Sequence, residues 1–261
     1  MPFVDAKSRL AAKMNRGQKP FGIFVSSIDP AVTDVLGAAG FDFLLFDGEH
    51  GRIGRLEIEN HVRAAAASGT VPFVRILENS PTLIQSVLDV GAQGVVVPHV
   101  DTADEAAAAV AASRYAPHGR RGMCPACHAG GYTLGRWGER VAAADDNVMV
   151  IPIIESRLAV DNIESILAVD GIDIVHFGPG DLSADMGIDF SSGLDFMTVA
   201  WRRCLDACRA AGKRMLAPSG FGYDGADMLV APMELMLLRD FAAKMVADHR
   251  TKDPKTVRVM K

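Results

Sequence analysis

FDFLLFDGEH, residues 41–50, is the stretch on which the fold turns. Residues 41–46 are large and apolar apart from Asp42, and the run stops abruptly at Asp47, Gly48, Glu49 and His50. The segment before it, AVTDVLGAAG (31–40), has helical spacing and ends on Gly40. An apolar run of this length after a glycine-bounded helix reads as a buried parallel strand. Chemistry in α/β proteins gathers where such strands end. Gly48 permits a sharp turn. Asp47 then faces His50 and orients its imidazole for proton transfer, the alternative being a polar loop with an incidental histidine.

Seven further apolar runs read as strands: FGIFVSS (21–27), VPFVRI (71–76), GVVVPHV (94–100), VMVIPIIE (148–155), IDIVHFGPGD (172–181), RMLAPS (214–219) and MLVAP (228–232). Helical spacing occupies 5–15, 31–40, 56–69, 80–92, 101–117, 158–169, 194–212 and 234–249. Ser80 is the expected N-cap ahead of Pro81, and Asp101 or Thr102 caps the alanine-rich helix that follows. Residues 117–138 are rich in Gly and Pro and read as a candidate active-site loop. Only the last two strands lack a helix-length connection. Alternation of this kind implies a parallel sheet. Eight units in 261 residues predict an α/β fold of one domain over 1–261, a closed (β/α)₈ TIM barrel.

Composition narrows the function. There are 27 Lys and Arg against 32 Asp and Glu, a net charge of −5, and no polybasic segment. Nucleic acid and membrane surfaces are therefore not expected partners. No run of apolar residues is long enough to span a bilayer. The first twenty residues mix charges and hold no apolar signal core, so a cytoplasmic protein with reduced thiols is expected. No G-x-G-x-x-G follows the first strand, and no G-x-x-x-x-G-K-[ST] occurs, so nucleotide binding has no motif. Cys124-Pro-Ala-Cys127-His128 matches the C-x-x-C-H haem-attachment pattern. It also offers a redox pair or half a zinc site. Cys204 and Cys208, one helical turn apart, read as small buried residues.

In a barrel the strand ends converge on one face. Asp47 with His50, Arg75, Glu155 and Asp181 all stand at such ends. Buried strands that each finish in an ionisable residue are costly unless those groups share a cleft. Glu155 and Asp181 supply hard oxygen ligands suited to Mg²⁺ or Mn²⁺. The structural alternatives are a Glu155 pair with Arg157 or Arg75, and Asp181 capping a helix that starts at Leu182. The N–H groups of Gly178 and Gly180 offer a turn for a small carboxylate. Arg75 beside a metal steadies a developing oxyanion, and His50 with Asp47 is the acid/base candidate. These parts suit chemistry through an enolate. A Schiff-base route needs a lysine inside the barrel. None of the eight lysines (7, 13, 19, 213, 244, 252, 255, 261) stands at the C-terminal end of a strand, and Lys213 precedes one.

FDFLLFDGEH, VPFVR, VLDVGAQGVVVP, RYAPHGRRG, IIESRLAVDNIESILAVDGID and FGPGDLSADMG, taken in order, resemble the HpcH/HpaI family of metal-dependent pyruvate aldolases, closely over 17–190 and more loosely beyond. The resemblance implies a (β/α)₈ barrel and reversible cleavage of a 4-hydroxy-2-oxo acid to pyruvate and an aldehyde through a metal-stabilised enolate. It implies Glu155 and Asp181 as ligands of a divalent metal (Mg²⁺, Mn²⁺ or Co²⁺) and Arg75 at the pyruvyl oxygen. It implies His50 and Asp47 as the acid/base dyad, and Gly178 and Gly180 as the carboxylate site. It also implies a homo-oligomer, a hexamer of three dimers with the C-terminal helix (233–250) exchanged between partners. On this reading Arg75→Ala removes turnover and leaves the fold intact. The chain departs from the family pattern at Phe24, Ile153, His99, the Met123-Cys124-Pro125 loop and the short segment after Gly187. Those departures lie in the walls of the aldehyde subsite, so the resemblance carries the reaction class and not the second substrate. The alternatives are a citrate-lyase-β-like or malyl-CoA-type lyase on the same barrel, and a haem- or metal-binding protein using Cys124, Cys127 and His128. Glu49 has no role on the sequence alone.

Overall fold

The computed structural model describes residues 6–189 and 194–251. Residue 5 of the expected first helix, the end of the segment after Gly187, and Lys252, Lys255 and Lys261 lie outside the described residues. Eight parallel strands close in sequence order: β1 (Phe21–Val25), β2 (Phe43–Asp47), β3 (Val71–Arg75), β4 (Gly94–Val97), β5 (Met149–Ile154), β6 (Ile174–Phe177), β7 (Arg214–Pro218) and β8 (Met228–Ala231). Helix α1 (Ala6–Asn15) precedes the barrel. Around it lie α2 (Ala31–Ala38), α3 (Arg55–Ser68), α4 (Pro81–Asp89), α5 (Ala103–Ser113) and α6 (Trp137–Asn147). The remainder are α7 (Arg157–Asp161), α8 (Ile163–Leu167), α9 (Pro179–Asp185), α10 (Leu194–Ala210) and α11 (Glu234–Thr251).

Each strand alternates between two apolar environments, because successive side chains point to opposite faces. One set, including Phe43, Leu45, Phe73, Val96, Ile151, Ile153 and Met228, fills the barrel interior. The other, including Leu44, Phe46, Val74, Val95, Ile154 and Phe177, packs under the helices. Both faces are covered, which is why the strands read as continuous apolar runs. His61 of α3 is a buried polar member of the helix layer. Its ring stacks on Phe46 with centroids 4.8 Å apart. Its Nε2 lies 2.8 Å from the Ser27 carbonyl and its Nδ1 2.8 Å from the Thr33 hydroxyl. A carbonyl only accepts, so Nε2 carries the proton and Nδ1 accepts from Thr33. Burial pushes the His61 pKa down, in keeping with this neutral role.

Four details differ from the sequence reading. Helix α6 occupies a stretch to which the sequence reading assigned no helix, and Ala144 is its one residue described as buried. The helix expected over 158–169 is two short helices meeting at Asn162, whose side-chain amide donates to the Asp101 carbonyl at 2.8 Å. Helix α9 begins at Pro179, where proline's fixed φ and missing N–H cost nothing. Asp181 therefore sits inside its first turn and does not cap a helix starting at Leu182. Finally, the 117–138 segment lies against the outside of α4. Arg121 pairs with Asp89 at 2.9 Å and stacks over Tyr115, and the Ala129 N–H reaches the Asp89 carbonyl at 3.1 Å. Asp89 ends α4 at the barrel's far end, so this segment is not a lid over its own chain's cavity.

Candidate active site at the C-terminal rim of the barrel

The register of β2 against β3 aligns Asp47 with Arg75. Arg75 forks onto the Asp47 carboxylate, Nε to Oδ1 at 2.9 Å and Nη2 to Oδ2 at 2.8 Å, and Asp47 is fully buried. The third nitrogen, Nη1, stands 3.0 Å from Glu49 Oε2. That contact is an ion pair without hydrogen-bond alignment, since Oε2 is buried and accepts no hydrogen bond from the described residues. The Phe24 ring lies 5.1 Å from the guanidinium carbon. Gly48 makes the turn possible: its N–H donates to the Arg75 carbonyl at 2.8 Å, and a Cβ there would stand 2.7 Å from that oxygen.

Asp47 therefore serves Arg75, not His50. Its contact with His50 is through the backbone N–H, 3.3 Å from Oδ1, beside the Glu49 N–H at 3.1 Å. The His50 side chain is 57% exposed, with Glu49 Oε2 3.9 Å from its Nε2. The expected Asp47–His50 dyad is replaced by a buried Asp47–Arg75–Glu49 cluster with the His50 side chain exposed at the rim beside Glu49. The reason is geometric. Aligned residues on neighbouring strands are closer than residues separated by a turn that folds back on β3.

Glu155 follows β5 and is 3% exposed. Neither Arg157 nor Arg75 pairs with it. Its Oε1 accepts the His99 N–H at 2.7 Å, and His99 Nδ1 lies 3.4 Å away. His99 Nε2 is 3.6 Å from Glu49 Oε1, so this residue, held at φ 53, bridges two acids. Burial pushes the Glu155 carboxyl up; His99 pulls it down, and Glu49 and Asp181 push it up again. Gly178 closes against Glu155: a Cβ there would stand 2.7 Å from Ile153 Cγ2 and 2.9 Å from Glu155 Cβ. The Gly178 N–H is already given to the Ile154 carbonyl at 3.0 Å. Of the two expected carboxylate-binding amides, that leaves Gly180, whose N–H lies in the first turn of α9 and has no acceptor within the helix.

A cavity of about 380 Å³ joins these groups. Its walls include His50, Arg75, Glu155, Gly178, Gly180 and Asp181. Pro218, Phe221 and Met233 complete it, and Phe24, Ile153 and His176 also line it. The sequence reading missed Glu49, which sits on an irregular turn. It missed His176 too, although alternation along IDIVHFGPGD places His176 on the inward face with Ile174. Cys124, Cys127 and His128 lie elsewhere: the Cys127 thiol turns back to the Cys124 carbonyl at 3.0 Å, and His128 packs toward Gly91.

The donor set fits a divalent cation. Glu49, Glu155 and Asp181 gather negative charge, while Arg75 is the one arginine among the described residues of the cavity wall and is engaged by Asp47 and Glu49. Among the described residues no three His, Cys, Asp or Glu side chains converge on one point. Two carboxylates that leave most of a cation's shell to water and substrate match the way Mg²⁺ is commonly held.

An eight-stranded parallel barrel with acids and one clamped arginine at its C-terminal rim defines the class: a (β/α)₈-barrel enzyme. The chain belongs to the HpcH/HpaI aldolase/citrate lyase family, whose sequence profile matches residues 20–234. It is a carbon–carbon lyase. A 2-keto-3-deoxy-L-rhamnonate aldolase of Shigella dysenteriae serotype 1 (strain Sd197) is 37% identical over 87% of this chain and 88% of the relative. The crystal structure of an HpcH/HpaI aldolase from Desulfitobacterium hafniense DCB-2 superposes with a TM-score of 0.86 at 28% identity, covering 95% of this chain and 98% of that one. A family protein from Burkholderia cenocepacia J2315 gives 0.85 at 27% identity, covering 93% and 99%. No described helix is long and apolar enough to cross a membrane.

Proposed function

We propose that this aldolase reversibly cleaves the C3–C4 bond of a 2-keto-3-deoxy sugar acid, a 4-hydroxy-2-oxo acid, to pyruvate and an aldehyde, with a divalent cation held by Glu155 and Asp181. The observation that carries the reading is the single cavity shared by Arg75, Glu155, Asp181 and His50. A bound cation supplies Lewis-acid stabilisation of negative charge on the 2-oxo group. Arg75, held rigidly by Asp47 and Glu49, presents its guanidinium to that same developing charge. The Gly180 N–H receives the substrate carboxylate. His50, exposed at the mouth, takes the proton of the 4-hydroxyl as the C3–C4 bond breaks. A CoA thioester is disfavoured, since the wall carries one arginine and that one is engaged by two acids.

The test is retro-aldol release of pyruvate from 2-keto-3-deoxy acids, before and after chelation and with Mg²⁺, Mn²⁺ or Co²⁺ restored. Activity that depends on the added metal is expected. Full turnover after chelation removes the cation from the proposal.

Helix α11 supports an oligomer. Glu234 is its one residue described as buried, held by the N–H groups of Ser26 and Ser27 at 3.0 and 2.7 Å. Beyond it Leu235, Met236, Leu238, Phe241 and Met245 are exposed. Apolar surface on that scale marks an interface. We propose that α11 packs on a neighbouring copy in a hexamer. Wild type is expected to sediment as an oligomer and Leu238→Glu/Phe241→Glu as a smaller species; an unchanged mass discards this role for α11. The proposed compartment is the cytoplasm, where four cysteines without disulfides remain reduced.

A further inference from the structure

Cys124-Pro-Ala-Cys127 takes no part in the chemistry at the rim. It lies in the 117–138 segment, which docks on the outside of α4 through Asp89. Pro125 and Ala126 form the centre of a turn that brings residue 127 back beside residue 124. Proline at the first central position presets the backbone for such a turn. A four-residue turn holds its end Cα atoms within about 7 Å, and a disulfide spans Cα atoms about 4.4–6.8 Å apart. The backbone therefore has the reach of a bridge without any helix moving.

The Cys127 side chain is folded back over the turn. Its thiol donates to the Cys124 carbonyl at 3.0 Å, and the Gly130 N–H donates to its sulfur at 3.3 Å. Gly130 closes the far side so tightly that a Cβ there would stand 2.4 Å from the Cys124 carbonyl oxygen. The Cys127 sulfur is thus held directly over residue 124. A thiol is a weak donor and its sulfur a weak acceptor, so little is lost when that sulfur turns to a covalent partner.

The two thiols differ in access. Cys124 is exposed and Cys127 is half-buried. Burial pushes the Cys127 thiol up, while the Gly130 N–H pulls it down. Cys127 therefore rests as the thiol, and Cys124 is the sulfur that a reagent meets first. Cys204 and Cys208 are the contrast. Both are buried under α10, where burial pushes their thiols up to about 12. Buried thiols of that kind are inert to a reagent in solution.

We propose that Cys124 and Cys127 are a redox-active dithiol, oxidised to an intramolecular bridge by a low-molecular-weight disulfide such as glutathione disulfide, with Cys124 as the attacking sulfur and Cys127 as the resolving one. Cys124 gives up its proton and attacks one sulfur of the glutathione disulfide. That S–S bond breaks, and the first glutathione leaves as the thiol with the proton. The Cys127 sulfur then attacks Cys124 Sγ, the mixed disulfide breaks, and the second glutathione leaves with the Cys127 proton. Two protein thiols are oxidised to one disulfide, and one glutathione disulfide is reduced to two thiols. Reduced glutathione runs the same exchange backwards, so the site follows the thiol–disulfide balance around it.

The experiment treats reduced full-length wild type, Cys124→Ser and Cys127→Ser with excess glutathione disulfide, blocks the remaining thiols by alkylation and maps the peptides by mass. Wild type is expected to yield the peptide holding Cys124 and Cys127 unalkylated, free of glutathione and lighter by two hydrogens, with Cys204 and Cys208 recovered as thiols. Cys127→Ser is expected to stop with one glutathione on Cys124. Cys124→Ser is expected to react at least about tenfold more slowly, because exchange depends on access to the attacking thiol. Wild type that stays a dithiol, that stops with glutathione attached, or that links two copies through these cysteines overturns the proposal. Equal rates in the two single variants overturn the assignment of Cys124 as the attacking sulfur.

Discussion

Arg75→Ala is expected to lower kcat by about 10²–10³-fold and, in the same protein, to lower the urea midpoint. The first effect follows from removing the cation that meets charge on the 2-oxo oxygen. The second contradicts the expectation that the fold is indifferent to this residue. Asp47 is fully buried, and two guanidinium nitrogens at 2.9 and 2.8 Å supply its countercharge. The Glu49 and His50 N–H groups remain after the substitution, but they carry no net charge. Removing one partner of a buried pair costs roughly 3–5 kcal/mol. Arg75→Lys should not rescue, because one ammonium cannot serve Asp47 bidentately and Glu49 at once. The double variant Asp47→Asn/Arg75→Met should recover stability but not turnover, separating the two effects. A wild-type urea midpoint for Arg75→Ala would mean that the Asp47 pair contributes nothing to the fold. Wild-type turnover would remove Arg75 from the chemistry.

The second large effect is at Glu155. Glu155→Gln is expected to lose at least about 10²-fold in activity, the scale of removing one electrostatic contributor, and to abolish the rise in Tm that Mn²⁺ gives wild type. A ligand that binds only the folded state stabilises it in proportion to the logarithm of its concentration over Kd, so the thermal shift reads cation binding without reference to turnover. Without metal the sign reverses. Burial raises the Glu155 pKa above its ordinary 4.5. A raised carboxyl contributes stability below the unfolded value and loses it as pH rises through the folded value. In chelator at pH 8, Glu155→Gln should therefore melt above wild type, and the gap should close as the pH falls toward 4.5. A variant that melts lower in chelator would mean that the buried Glu155 charge carries no cost, and one that keeps a full Mn²⁺ shift would place the cation elsewhere.

The strands, their order around the barrel and the rim that carries the chemistry were legible in residues such as FDFLLFD and VPFVR, because burial on both faces leaves continuous apolar runs. The places of Arg75 and Glu155 at strand ends were legible for the same reason: a run that stops at a charge marks where the strand leaves the core; Asp181, read as the end of the sixth strand, lies instead in the first turn of α9, past β6. Helix α6 was not, since it follows a Gly- and Pro-rich stretch, starts without a side-chain cap and has Ala144 as its one residue described as buried. Nor was the resting place of 117–138, because a loop's docking surface leaves no period in its own sequence.

What the sequence by itself determined, then, is which residues arrive at the rim: alternation and length set the strands, and closure carries their ends together. What only the tertiary structure decided is whom each residue meets there. Parallel register places Asp47 beside Arg75 and gives the Gly178 N–H to Ile154. The turn at Gly48 swings Glu49 under the guanidinium and leaves His50 at the mouth. Such pairings depend on the stagger between neighbouring strands and on the path of a turn. Both are set by packing across the barrel, at distances along the chain that no local pattern spans.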